Sequence, residues 1–240
     1  MESDYSEFDL DESLIRISDI LNSDDKNYEE LKTIPQRSGL TFNNGYYISC
    51  SALFVDIRGS KELSNTHTRP ILARIYQAYI SELVAIMRDN QKVSEISIEG
   101  DCVWGVFDTP KKSDIDGLFN TAAKAASMVD ILNVHFPQYG YSQITVGIGM
   151  AYGQALMIKA GQKSSGVNEV AWMGQLVGEA ARLCSYGNKT SYNRRTMVSE
   201  VFYQNLNKHN QSLLVKNEIH GCYHGNAINT EMNKWVLANK

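Results

Sequence analysis

The sequence predicts an α+β fold, a mixed β-sheet with flanking helices, from three observations. Runs such as "YYISCSALFVDI" and "QITVGIGMAYG" read as buried strands. Between them lie long segments with apolar residues at helical spacing, the clearest being "RPILARIYQAYISELVAIMRDN" (69–90). Hairpins then interrupt the alternation, notably where "KVSEISI" and "CVWGVFD" meet at a tight Glu99-Gly100-Asp101 turn, which favours α+β over a purely alternating α/β class. The 240 residues, 43% hydrophobic and 21% charged, suffice for a substantial core.

Taken in order, residues 1–45 read as a helical and irregular appendage. Leu14, Ile15, Ile17, Ile20 and Leu21 predict an amphipathic helix over 11–22 with an acidic start, and the stretch after it is turn-rich. The catalytic-looking part spans 46–240. A central strand runs through "YYISCSALFVDI", the helix of 69–90 follows, and then come the two strands meeting at Gly100. A second helix is predicted at about 113–134 and a strand over 143–153, with "ALMIKAG" (155–161) returning as its hairpin partner. "GQLVGEAARLCSYG" (174–187) reads as a helix closed by Gly187. "RRTMVSE" and the segment after Ser212 supply late strands.

A net charge of -4 and a pI near 5.8 argue against a nucleic acid or an anionic membrane as the main partner. No apolar run approaches the roughly 20 residues that span a bilayer. The acidic N-terminal stretch lacks the layout of a signal peptide, so a cytoplasmic protein is expected. Cys50, Cys102, Cys184 and Cys222 are scattered, suggesting neither a disulfide framework nor a zinc knuckle. "HGCYH" (220–224) has metal-like spacing but no second ligand cluster, and reads as a strand or turn without assigned chemistry.

The candidate site rests on two acids. Asp56 ends a run of buried-strand residues and Asp101 follows Gly100 between two strands, so a hairpin beside the first strand places both carboxylates at one end of the sheet. Charge there needs compensation. The turn through Ile57, Arg58 and Gly59 into a helix presents free backbone N–H groups suited to phosphate. Two carboxylates beside a triphosphate call for a hard cation, Mg²⁺ or Mn²⁺. On pattern alone, a strand-terminal Asp also reads as a helix cap or an ion-pair partner.

"FVDIRGS", "IEGDCVWGVF" and "MGQLVGEAARL" raise the metal reading, because together, in this order, they resemble the class III nucleotidyl cyclases. The resemblance covers roughly 46–200. It implies that family's ferredoxin-like core. It also implies that Asp56, Asp101 and the Ile57 carbonyl hold two divalent ions, and that Arg182 stabilises the phosphate in the transition state. The reaction implied is attack of the ribose 3′-hydroxyl on the α-phosphate, releasing pyrophosphate. In the family the acids and the arginine of one site come from different protomers, which implies a homodimer.

Departures from the family bear on the base. The two purine-reading places hold Ser97 and Ala171, neither of them charged, and Gly178 replaces the ribose-binding Asn. A site built to hydrogen-bond a base edge discriminates strongly, so this loss implies another base or weak selectivity. Trp172 reads equally as a wall narrowing the base pocket or as core. Tyr46 shares strand parity with Asp56, so it or Tyr47 is a candidate to face a nucleotide. "GYYISCSALFVDIRGS", "GDCVWGVFDTP" and "WMG" are closer still to the bacterial Pycsar pyrimidine cyclases. That resemblance implies UTP as substrate, with CTP the alternative. The cyclic product would act on a separate effector during antiphage defence. A catalytically silent cyclase-like domain that binds nucleotide and dimerises is the other class of reading, with Gly178 in its favour.

Overall fold

The computed structural model describes residues 5–163 and 168–240, so the first four residues of the acidic N-terminal stretch lie outside the described part. A nine-stranded mixed sheet organises the chain. Helix α1 (Leu10–Leu21) is capped by Asp9, whose side chain accepts from the Glu12 amide, and it buries none of its residues. Strand β1 (Tyr28–Leu31) follows in a stretch expected to be turn-rich, and pairs parallel with the first residues of β2 (Gly45–Arg58). Then come α2 (Ser60–Thr66), α3 (Arg69–Arg88), β3 (Val93–Glu99), β4 (Cys102–Phe107) and α4 (Lys112–His135). The chain continues through β5 (Thr145–Gly161), β6 (Asn168–Met173) and α5 (Gln175–Tyr186). It ends with β7 (Thr196–Val198), α6 (Glu200–Asn205), α7 (Lys208–Ser212), β8 (Val215–Asn217), β9 (Cys222–Gly225) and α8 (Thr230–Asn239). Among the described residues no helix is long and apolar enough to cross a membrane.

The sheet order is β3-β4-β2-β5-β7-β9-β8, with β1 beside β2 and β6 beside β5. Its axis is the antiparallel β2–β5 ribbon, paired from Gly45 opposite Ile158 to Arg58 opposite Thr145. This corrects one expectation: "ALMIKAG" does not fold back on "QITVGIGMAYG" but continues it as one strand. Gly153 keeps an ordinary extended backbone inside β5, without the positive φ of a two-residue hairpin turn. Continuous pairing to β2 holds both halves straight.

Alternation along β2 divides the core. Leu53, Val55 and Ile57 face α3 and α4, packing on Ile75, Tyr79, Leu83, Leu118 and Ala125, all essentially buried. Each Val, Leu or Ile among them contributes about 1.5–3 kcal/mol by leaving water. Ile48, Cys50, Ala52 and Phe54 face the other way, toward Trp104, Trp172 and the Leu176, Ala180 and Cys184 side of α5. A Cβ on Gly149 of β5 would lie 2.2 Å from the Ala180 carbonyl oxygen, so the helix rests directly on strand backbone. That close approach fixes α5 and every side chain it carries.

Candidate active site

Asp56 lies on the α5-facing row of β2, one place before its last member Arg58, and opposite Gly147. The missing side chain at Gly147 makes room for Arg58, whose guanidinium would lie 2.5 Å from a Cβ there. Arg58 donates to the Cys184 carbonyl at 2.9 Å and pairs with Asp56 at 3.2 Å. It thus ties the first acid to the carbonyl end of α5, where a cation is favoured. Gly59 (φ 69°) adopts the left-handed conformation that turns the chain into α2. The side chain of Ile57 is buried in the α3–α4 core, leaving only its backbone for the site.

Asp101 reaches the same end through the β3–β4 turn, made possible by Gly100 at φ 63°. Val55 pairs with Val103, which carries the turn past the end of β2. Partial burial raises the Asp56 carboxyl, the Asp101 charge raises it further, and Arg58 opposes both. The two acids therefore repel one another. Oδ2 of Asp101 is buried without a hydrogen-bond partner among the described residues. A divalent cation answers both observations, since it neutralises the repulsion and coordinates the orphaned oxygen. The described residues gather no cluster of three or more His, Cys, Asp or Glu side chains, so backbone or substrate oxygens would have to complete the ligand shell. Cys102 is no thiolate competitor: burial, then the charges of Asp56, Glu99 and Asp101, push its thiol up to about 12. A cavity of about 450 Å³ opens beside Asp101, lined also by Ser60, Lys61, Ser64, Tyr76 and Gly100.

Arg182 sits elsewhere. Its neighbours Ala180 and Cys184 are buried against the sheet, and two residues along a helix turn the side chain through about 200°. Arg182 therefore points away from the chain's own acids, half exposed, with Glu179 at 3.8 Å and its guanidinium 5.6 Å from the Tyr186 ring centroid. Gly178, one turn earlier on the same side, has no atom within 4 Å of a Cβ placed there.

Ser97 lies opposite Trp104 on the α5-facing side of β3. Trp172 is buried on that face and donates its indole N–H to Glu95 at 2.8 Å, while Arg37 holds the other Glu95 oxygen at 3.1 Å. Ala171, its chain neighbour, projects to the opposite side of β6. Tyr46 donates to the Gly39 carbonyl at 3.2 Å, roughly 33 Å along β2 from Asp56. Within one chain the structure brings Asp56, Arg58, Gly59 and Asp101 together, and places Ser97 and Trp172 on a common face. It leaves Tyr46 and Arg182 apart from the acids. Sequence reasoning missed Glu95 and Arg37, although Glu95, Ser97 and Glu99 alternate with Ile96 and Ile98, which marks a polar row on a strand.

Residues 43–239 match the family of adenylate and guanylate cyclase catalytic domains. A protein of Treponema porcinum named uridylate cyclase is 37% identical over 97% of this chain and 84% of its own length. One of Gulbenkiania mobilis, also named uridylate cyclase, is 36% identical over the full length of both. Among solved structures, a class III adenylyl cyclase-like ATP-binding protein from Pseudomonas aeruginosa superposes with a TM-score of 0.69 at 16% identity, covering 95% of this chain and 49% of that one. The acid pair at the strand end, the helix bearing Arg182 and this family match agree: the chain belongs to the class III cyclase catalytic domains and is a nucleotidyl cyclase.

Proposed function

We propose that the protein converts UTP into 3′,5′-cyclic UMP and pyrophosphate at a site shared by two copies of the chain. The observation that carries the shared site is the orientation of Arg182, which faces away from Asp56 and Asp101 while α5 is pinned to the sheet at Gly149. The names of the two relatives support the pyrimidine, as does the lack of a charged reader at Ser97 and Ala171.

Asp56, Asp101 and the Ile57 carbonyl would hold Mn²⁺ or Mg²⁺, two ions per site. Bound there, the ions would lower the pKa of the 3′-hydroxyl and neutralise charge gathering on the phosphates. The 3′-oxygen forms a bond to the α-phosphorus, the bond to the bridging oxygen breaks, pyrophosphate leaves, and the hydroxyl proton passes to solvent. Backbone amides at the Arg58–Gly59 turn and Lys61 steady the phosphate chain. Arg182 of the second copy meets the developing charge with its planar fork of donors. Arg58 keeps Asp56 oriented. The resemblance to the phage-defence cyclases supports a cytoplasmic role for the product as a messenger read by a separate effector, and the four free cysteines fit that compartment.

Incubation with each of the four NTPs and Mn²⁺, reading pyrophosphate and cyclic product, tests the reading. UTP is expected to be turned over fastest, CTP second, and ATP and GTP poorly. Faster turnover of CTP makes it a cytidylate cyclase, faster turnover of ATP ends the pyrimidine reading, and no product from any NTP leaves the silent-domain reading standing.

A further inference from the structure

The "HGCYH" stretch, which the acid site does not use, begins against Tyr186, the ring that the Arg182 guanidinium lies over. His220 stacks on Tyr186 with ring centroids 3.9 Å apart and planes within 13°. Tyr186 is four residues beyond Arg182 on α5, so the two share a helix side, and the guanidinium lies over the Tyr186 ring. His220 is itself fixed from below. Its amide donates to Asn217 at 3.1 Å and its ring nitrogen meets the Asn193 amide at 3.4 Å. Asn217 and Asn193 are buried, bonded to each other at 3.1 Å, and joined to His224 at 3.1 Å. By contrast the carboxylate paired with Arg182 among the described residues, Glu179, stands at 3.8 Å, beyond the length of a strong charged hydrogen bond. A half-exposed arginine tethered only that loosely samples many rotamers. The aromatic stack limits them.

We propose that Tyr186 and His220 are positioning residues for Arg182, fixing its guanidinium on the outer side of α5 in the orientation the second copy's nucleotide needs. This rests on the reading of Arg182 above. The stack acts on the charge that meets the transition state, so its loss lowers kcat and leaves KM for UTP nearly unchanged.

The test uses Tyr186→Ala, Tyr186→Phe, His220→Ala and His220→Phe in the full chain, with UTP and Mn²⁺. Tyr186→Ala should lower kcat roughly tenfold and His220→Ala about threefold, with KM within about twofold. The two Phe variants, which keep a flat ring, should stay within about twofold of wild type. A mixing experiment separates positioning from a fault of fold. Tyr186→Ala mixed with Asp56→Asn should regain activity, because the composite site takes its acids from one chain and an intact Arg182–Tyr186 pair from the other. Tyr186→Ala mixed with Arg182→Ala should not. Equal loss in the Phe and Ala variants, a change confined to KM, or recovery with both partners overturns the proposal. Should Arg182→Ala alone keep full activity, the reading of Arg182 itself fails, and that outcome is distinct from an inactive Arg182→Ala beside an unaffected Tyr186→Ala.

Discussion

The two faces of one sheet are built to different rules. Under α3 and α4 lie buried hydroxyls bonded to neutral partners: Tyr79 donates to the Val55 carbonyl, Ser51 bonds Thr109, and Ser127 accepts from the Asn229 amide. Under α5 lie ionisable groups, namely Asp56, Glu95 and His224, held by Arg58, by Trp172 and Arg37, and by Asn217 respectively. Hydroxyls cost little to bury once bonded, whereas carboxylates and imidazoles are kept only where something holds their charge state. The first face supports the fold. The second holds the proposed site, and its stability is correspondingly conditional.

The largest effect that sharpens this contrast falls on activity. Asp56→Asn or Asp101→Asn should lower UTP cyclisation by about a thousandfold, since losing a ligand of a metal clamp removes several kcal/mol of charge stabilisation. Thermal melts should meanwhile stay at or above wild type, because Asn removes the repulsion that raises Asp56. A variant that keeps activity, or that simply unfolds, breaks the contrast. Next in size, Gly149→Ala should destabilise the protein by about 3 kcal/mol in urea titrations, because the added methyl collides with α5 backbone rather than with a movable side chain.

The acid end was legible because its signals are local: an aspartate closing a strand, a glycine at the turn, another glycine entering a helix. Each is a contact or conformation within a few residues. The face covered by 32–44 was not. Leu40 is buried there, the Ile34 amide donates to Asp108, and Arg37 reaches Glu95, so part of the stretch read as an appendage packs against the sheet. These partners are far apart in sequence and carry no shared period. The hairpin expected at Gly153 failed for the converse reason, since its local glycine signal was overridden by fourteen residues of pairing with β2.

Glu95→Gln probes that covered face. It keeps an acceptor for the Trp172 indole and loses the charge facing Arg37, whose side chain is 59% exposed. A cost of about 1 kcal/mol is expected in denaturant titrations, well below that of Gly149→Ala, as solvent already screens half of the pair. A cost above 3 kcal/mol contradicts this.

The smallest effect is one of pH. Burial lowers His224, and the nearby Arg194 and His220 lower it further, while its Nδ1 takes the Arg194 amide at 3.3 Å and meets Asn217 at 3.1 Å. Below the ordinary value of 6.5 the unfolded chain takes up a proton that the folded chain refuses. Stability from this group is therefore complete above 6.5 and lost as pH falls from there through the lowered folded value. His224→Gln should flatten the melting temperature over that window, and an unchanged slope contradicts the assignment.

The account as a whole stands on acids from one chain acting with Arg182 from another. Purified Asp56→Asn and Arg182→Ala, each assayed alone on UTP and then after subunit exchange, test it most directly. Each alone should be inactive. The mixture should recover roughly a quarter of wild-type turnover, since half the two-fold dimers are mixed and each of these holds one complete site. Activity in either variant alone, or none after exchange has been verified by mass, contradicts the account.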